Sequence, residues 1–334
     1  MRSALQQQTM QAILQTTYGT ADMFHLGTHV RPTPGKGEVL IRVHAAGMDR
    51  GTWHLMAGKP YLMRLAMGFR GPRNPVPGLD VAGTVVELGA GVTRFQVGDE
   101  VFGISKGSFA DYACAREDKL ARKPAHFSFT QAAVTGVSGL TALQALRDAG
   151  RVKAGQRVLI IGASGGVGSF AVQLAKSFGA EVTGVCSTSK LEAVRALGAS
   201  RVIDYTKEDF SSGAERYDLI LDIAGNSPLA RLRKVLTPSG TIVFVGGEGG
   251  DALTGGMGRQ LGAMVRSMFS KQRFVMKPPN ENAADLEVLR ELAEAGKFSP
   301  AIDSTWTLAQ VPDAMRQLVA GKVAGKIAIT VAER

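Results

Sequence analysis

The part of the chain best equipped for chemistry is Val158–Leu174, VLIIGASGGVGSFAVQL. Val158 to Ile161 form a short β-branched run between Arg157 and Gly162, the composition of a buried parallel strand. Gly162-Ala163-Ser164-Gly165-Gly166-Val167-Gly168 follows, then apolar residues at helical spacing, Phe170, Val172 and Leu174. Strand, glycine turn and helix open a dinucleotide-binding βαβ unit. Ser164, Gly165, Gly166, Val167 and Gly168 are its candidate cofactor contacts. Gly165 and Gly166 let backbone N–H groups approach a pyrophosphate. A helix predicted to begin near Val167 offers free N–H groups and a positive dipole end, and Gly168 lets it lie close on the strand. In the G-x-G-x-x-G register Ala163 replaces the first glycine. The turn alone therefore also fits a tight strand–helix connection with no ligand.

The second candidate site is the end of the next strand, Glu181–Val185. An NAD-type site needs an acid there for the ribose 2′-hydroxyl. The chain reads Cys186-Ser187-Thr188-Ser189-Lys190 instead. Ser187 and Thr188 suit hydrogen bonds to a 2′-phosphate and Lys190 suits its charge, so NADPH is the expected cofactor. The alternative is a hydroxyl-rich helix start with a solvated lysine.

Other reactive residues are sparse. No serine sits in a G-x-S-x-G elbow, so no nucleophilic triad is expected. Cys114 and Cys186 are far apart in unlike contexts and cannot make a four-thiolate zinc site. Tyr61, in the Met- and aromatic-rich stretch Trp53–Phe69, is a candidate donor to a developing oxyanion, or a packed or surface tyrosine. His54 reads as a solvated or core histidine before a proton donor, and His44 as a strand residue.

These groups need scaffolds. Met10–Thr17, Gly37–Ala45, Asp80–Glu87 and Glu100–Phe102 read as short strands separated by Pro and Gly, a compact antiparallel domain. Trp53–Phe69 reads as a short helix plus a lid. From Thr135 the pattern changes. A helix starts at Ser138; strands at Arg157–Ile161, Glu181–Val185, Arg201–Asp204, Tyr217–Ile223, Gly240–Val245 and Arg273–Met276 alternate with helices at Lys190–Leu197, Leu229–Leu236 and Asp285–Ala295. That alternation predicts a doubly wound parallel sheet, with Gly246–Gly256 a loop at its ligand-binding edge. Ala301–Leu308 and Lys326–Val331 return to β structure and complete the first domain. The expected division is 10–134 with 279–334, and 135–278.

The 334 residues suit two domains. The net charge of +10 comes from scattered basic residues, which suits an anionic cofactor better than nucleic acid. No apolar stretch is long enough to span a membrane, and no membrane partner is expected. The N-terminus lacks a secretory layout, residues 1–9 read as a loose polar leader, and a reducing, cytoplasmic setting is expected.

Several motifs together carry a family resemblance: Ala45-Ala46-Gly47-Met48-Asp49, Pro77-Gly78-Leu79-Asp80-Val81-Ala82-Gly83, Val97-Gly98-Asp99-Glu100-Val101-Phe102-Gly103, Gly139-Leu140-Thr141-Ala142, Gly165-Gly166-Val167-Gly168 and Gly325-Lys326-Ile327. From about Met10 onward the chain resembles the zinc-independent, quinone-oxidoreductase-like branch of the medium-chain dehydrogenase/reductase superfamily. The resemblance implies α/β architecture, a GroES-like β-barrel beside a Rossmann domain, with the active site between them. It also implies NADPH and a homodimer. Zinc-dependent relatives have Cys in the first motif and Gly-His-Glu in the second; here those places read Met48-Asp49 and Gly78-Leu79-Asp80, so no catalytic metal is expected. The branch commonly has Asn where Asp49 stands, and an ionised carboxylate cannot donate as an amide does. The resemblance further implies Thr141 near the nicotinamide, Tyr205 near the 2′-phosphate, Gly246 and Gly247 flanking the nicotinamide, and Lys326 toward the cofactor.

The expected activity is NADPH-dependent hydride transfer to a quinone or an α,β-unsaturated carbonyl, a small-molecule substrate whose oxyanion needs only hydrogen-bond donors. The competing readings are a metal-free carbonyl or alcohol dehydrogenase and a non-catalytic NADPH-binding protein, crystallin-like or RNA-binding.

Overall fold

The computed structural model describes residues 8–246, 252–255, 258, 262, 270–276 and 278–331. Alternating strands come first. β1 (Thr9–Leu14) and β2 (His25–Val30) pair antiparallel. β3 (Glu38–Met48) pairs with β4 (Asp80–Leu88), and β5 (Glu100–Ile104), β6 (Tyr112–Arg116) and β7 (Leu120–Arg122) extend the antiparallel sheet. Between β3 and β4 the chain leaves the sheet as α1 (Arg50–Ala57), a 3-10 turn over Tyr61–Met63 and α2 (Arg64–Met67).

α3 (Phe129–Ala133) and α4 (Gly136–Gln144) lead into the second sheet. Its parts are β8 (Arg157–Ile161), α5 (Gly166–Ser177), β9 (Glu181–Cys186), α6 (Leu191–Ala196), β10 (Arg201–Asp204), β11 (Tyr217–Asp222), α7 (Leu229–Lys234), β12 (Leu236–Phe244) and β13 (Arg273–Met276). The six strands are all parallel, in the order β10-β9-β8-β11-β12-β13. The order reverses at β8, which is where such sheets bind ligands. α8 (Ala283–Glu294), β14 (Ile302–Thr307), α9 (Val311–Val319) and β15 (Lys326–Thr330) then return to the first sheet. β15 lies antiparallel to β3, with Ile327 opposite Met48.

One apolar cluster joins the two sheets. Ala82 and Phe102 of the first share it with Val158, Ile160 and Phe170 of the second, and Leu140, Leu143, Leu286 and Leu289 fill the space between. Each such leucine contributes about 1.5–3 kcal/mol on burial. This contact fixes the cleft geometry.

Some elements differ from the sequence reading. The helix expected from Ser138 starts at Gly136, so Ser138 lies inside it, and the helix widens into a π turn over Ala145–Gly150. The dinucleotide helix starts at Gly166 rather than near Val167. α9 was masked in the sequence by Pro312, which sits in its first turn, where a missing N–H costs nothing. Most of the glycine-rich segment Gly246–Gly256 lies outside the described residues.

Candidate active site at the junction of the two sheets

The turn after β8 is built for an anion. Gly162 has φ +90° and Gly162 and Ala163 each donate to the Val185 carbonyl at 3.1 Å. The N-cap of α5 is Gly165, with no capping side chain. The first-turn N–H groups of Gly166, Val167 and Gly168 find no acceptor among the described residues, as a phosphate-binding helix start requires. The glycines divide the work. A Cβ on Gly168 would sit 2.1 Å from the Gly162 carbonyl oxygen, so this residue permits the close packing of helix on strand. A Cβ on Gly165 would meet only that oxygen, at 3.5 Å, which leaves room for a ligand. The residues present therefore fit a dinucleotide pyrophosphate. The Ser164 carbonyl accepts from Gly325 N–H at 2.8 Å, which ties the turn to the approach to β15.

Directly beneath lies a buried ion cluster. Lys326, the first residue of β15, is 1% exposed. Its Nζ donates to Asp80 Oδ2 at 3.1 Å, Ser138 Oγ at 3.1 Å and Asp49 Oδ2 at 3.4 Å. Asp80, at the start of β4, is fully buried, and its Oδ1 accepts from Val137 N–H at 2.6 Å. Asp49 caps α1, its Oδ1 accepting from Thr52 N–H at 3.0 Å. Burial pushes the Asp80 carboxyl up to about 6, and the Asp49 charge adds to this against the pull of Lys326 and the Val137 N–H. Burial alone would lower Lys326, but Asp49 and Asp80 outweigh it and hold the ammonium above its ordinary range.

Lys326, expected from the resemblance to lie toward the cofactor, spends its three N–H donors on Asp80, Ser138 and Asp49. Its stem is what faces the turn: a Cβ on Gly166 would lie 3.0 Å from Lys326 Cδ and 3.2 Å from Ser138 Oγ. Asp49 is brought to the junction, with one oxygen on α1 and the other on Lys326. Asp80 and Ser138 were not recognised as site residues. An acid opening an apolar strand, DVAGTVV, was the available signal for Asp80.

The adenosine end also departs from expectation. Thr188 Oγ1 donates to Asp204 Oδ2 at 2.5 Å, and Thr206 gives Asp204 Oδ1 its N–H at 3.0 Å and its hydroxyl at 2.7 Å. Lys190 Nζ donates to the carbonyls of Gly321 and Val323 at 2.9 and 2.7 Å. Thr188 has thus given its proton to a carboxylate, and Lys190 reaches the segment before β15. The end of β9 carries no acid, as read from the sequence, but β9 and β10 pair with Cys186 opposite Asp204. The acid is missing from the second strand and supplied by the third. The Thr188 hydrogen bond, with those from Thr206, holds Asp204 below its usual range. Ser187 is half-buried and Tyr205 exposed beside them.

The remaining candidates lie on separate elements. Thr141 Oγ1 donates to the Val137 carbonyl at 2.7 Å, on the helix that carries Ser138. Gly246 follows β12; a Cβ there would lie 2.0 Å from the Ile223 carbonyl oxygen. Gly247 lies outside the described residues. Tyr61 is 42% exposed, with the Arg64 guanidinium 4.6 Å from its ring centre, and its N–H donates to the Ala252 carbonyl at 2.9 Å. The segment that carries it thus meets the chain beyond β12. His54 Nδ1 lies 2.8 Å from the Lys59 carbonyl, and His44 Nε2 3.0 Å from Thr84 Oγ1. Among the described residues no group of three or more His, Cys, Asp or Glu could hold a metal. Both cysteines are buried, and burial pushes the Cys114 thiol up to about 11.

A six-stranded parallel sheet with an uncapped helix start at its point of reversal, packed through a shared apolar cluster against a mainly antiparallel sheet, is the architecture of a two-domain dinucleotide-binding class. Sequence comparison agrees. Residues 35–125 match the alcohol dehydrogenase GroES-like domain and 197–329 the zinc-binding dehydrogenase family. The chain is 32% identical to the chloroplast envelope quinone oxidoreductase homolog of Arabidopsis thaliana, over 96% of this chain and 98% of that protein. It is 34% identical to the NADPH-dependent alkenal/one oxidoreductase of the same plant, over 96% of this chain and 79% of the relative. The quinone oxidoreductase of Coxiella burnetii superposes with a TM-score of 0.82 at 29% identity, covering 97% of this chain and 100% of that one. The chain belongs to the quinone-oxidoreductase-like branch of the medium-chain dehydrogenase/reductase superfamily and is an oxidoreductase of that type.

Proposed function

We propose that the protein reduces quinones or α,β-unsaturated carbonyls with NADPH, without a catalytic metal, as a homodimer. In this reading 10–134 with 279–334 form the catalytic unit and 135–278 the dinucleotide unit. The observation that carries it is the Lys326 ammonium seated between Asp49 and Asp80, directly under the anion-ready turn. Two oxygen ligands already satisfied by an ammonium are a poor site for a divalent cation, whose affinity rests on free donors.

The bound nucleotide supplies the hydride. The chain's part is to bind and orient. Gly166, Val167 and Gly168 offer N–H groups to the pyrophosphate, while Ser164 and Gly165 shape the turn. Thr141 and Gly246 are assigned to the nicotinamide end; the resemblance implies the same for Gly247, which lies outside the described residues. Ser187, Thr188, Lys190 and Tyr205 border the 2′-phosphate, where Lys190 must exchange its two carbonyl partners for phosphate oxygens. A phosphate adds a full opposite charge that a carbonyl lacks, so the exchange favours NADPH. Asp49 holds α1, and Tyr61 on the following segment stands where it can donate to an acceptor's oxygen. In this metal-free reading unactivated alcohols are poor substrates, whereas conjugated acceptors spread the developing charge. NADPH-dependent alkenal/one reduction by a relative supports the same class.

The test is nicotinamide oxidation with a quinone, an enone and a saturated ketone, each with NADPH and NADH, before and after dialysis against a chelator. Quinone or enone turnover that prefers NADPH and survives the chelator is expected. Turnover confined to simple alcohols or ketones, or lost on chelation, overturns the reading.

A further inference from the structure

The connection between β3 and β4 carries a feature that hydride transfer does not use. From Arg50 to Leu79 the chain holds Arg50, Lys59, Arg64, Arg70 and Arg73 and no Asp or Glu. The same stretch displays large apolar side chains: Leu65 is 69% exposed and Phe69 77%. Leu253, 61% exposed, is brought beside them because Leu62 N–H donates to its carbonyl at 3.2 Å. Apolar groups concentrated at the surface in this way mark a contact site.

The display is built into the fold. Tyr18 Oη donates to the Gly68 carbonyl at 2.7 Å, and Arg73 N–H to the Met67 carbonyl at 2.9 Å. Gly68 has φ +122°, and a Cβ there would strike the Gly71 carbonyl oxygen at 2.1 Å, so only glycine turns the chain to present Phe69. Arg64 is used internally, its Nε donating to the Gly58 carbonyl at 2.8 Å and its guanidinium lying over Tyr18 and Tyr61. Lys59, Arg70 and Arg73 are exposed and form no ion pair among the described residues.

We propose that this segment is a peripheral docking face for an anionic lipid bilayer. Leu65 and Phe69 enter the acyl boundary while Lys59, Arg70 and Arg73 pair with lipid phosphates, the division of labour of an interfacial contact. The contact involves no span, since among the described residues no helix is long and apolar enough to cross a membrane. A second copy of the chain is the competing occupant. The excess of cations on this stretch and the net charge of +10 oppose two such faces meeting and favour an anionic surface.

The inference goes beyond the proposed chemistry and is read without nucleotide or acceptor, so either can fail alone. The full chain is sedimented with vesicles of phosphatidylcholine alone, or with about one third phosphatidylglycerol, at about 0.1 M salt, where surface charge still acts over ~10 Å. Binding to the anionic vesicles only is expected. Arg70→Gln with Arg73→Gln lowers the partition coefficient at least tenfold, at about fivefold per cation. Leu65→Ser with Phe69→Ser lowers it about tenfold or more. Both double variants keep the parent's circular dichroism and thermal midpoint. No binding, equal binding to both vesicles, or parent-like binding by either double variant overturns the proposal. So does a change in the mass in solution on Leu65→Ser with Phe69→Ser, which assigns the face to a second copy.

Discussion

Lys326 and Lys190 have opposed surroundings. Lys326 is sealed at the junction of the sheets with acidic partners, and Asp49 and Asp80 raise its pKa against burial. Lys190 is half-buried at the adenosine corner with two backbone carbonyls for partners, and there burial wins and lowers its pKa. A carbonyl dipole compensates a charge far less than a carboxylate does. Lys326 is therefore committed, and its removal strands two acids. Lys190 is held in a weaker arrangement that a phosphate can replace. The lysine that supports the fold and the lysine proposed to select the ligand differ in what they touch.

The largest effect that can break this contrast is on Lys326. Lys326→Met keeps the stem against Gly166 but leaves Asp49 and Asp80 without a cation. A loss of about 3–5 kcal/mol is expected, as for other broken buried pairs, measured by urea unfolding. Lys190→Ala should lose about 1 kcal/mol in the same assay, because a half-buried ammonium bonded only to backbone carbonyls adds little net stability. Equal losses would dissolve the distinction.

The second effect is a pH dependence. The folded Asp80 carboxyl titrates at about 6, against about 4 unfolded. Between those values the folded state binds more protons than the unfolded state. The stability this group contributes is complete below about pH 4 and is lost as pH rises through 6. Asp80→Asn is neutral throughout. Its stability relative to the parent should rise by about 2 kcal/mol from pH 4 to pH 7, at 1.36 kcal/mol per pKa unit. A flat difference across that range would show that Asp80 stays ionised in the fold.

What the sequence disclosed follows the same division. The glycine turn was legible because strand, bend and helix are contiguous, and the steric demand on Gly168 is set by Gly162, its near neighbour in sequence. The parallel sheet was legible because βα alternation is periodic. The ion cluster was not, since Lys326 meets Asp80 and Asp49 across 246 and 277 positions, and a single chain carries no record of which distant acids pair. The acid at the adenosine corner was hidden by strand register. Reading the end of β9 alone shows Cys186, and only the pairing of β9 with β10 sets Asp204 opposite it. Tyr61 was legible as part of a distinct segment, but its exposure and its link to Ala252 depend on a loop from the other sheet.

At the adenosine end the effects are smaller and fall on binding. Lys190→Ala should raise KM for NADPH about tenfold, the worth of a charge-assisted hydrogen bond, and leave KM for NADH nearly unchanged. An equal rise for both would reassign Lys190 to holding the segment before β15.

The smallest effect belongs to Asp204, and it decides which nucleotide the corner was built for. Its carboxylate lies 2.5 Å from Thr188 Oγ1, so a 2′-phosphate reaching Thr188 would meet a second negative charge nearby. If NADPH is the natural partner, Asp204 serves the turn, taking the protons of Thr188 and Thr206, and its charge is a cost to binding. Asp204→Asn then keeps an acceptor for one of those donors and removes the repulsion. KM for NADPH should fall about threefold, in the range of a screened, partly exposed charge pair, while KM for NADH stays within error. If the carboxylate instead accepts from a ribose 2′-hydroxyl, the same substitution weakens NADH by about tenfold, the loss of a hydrogen bond to a charged group. Under the first assignment NADPH alone responds and its KM falls; under the second NADH responds and its KM rises. Measuring both on one variant separates a corner that tolerates an acid from one that depends on it.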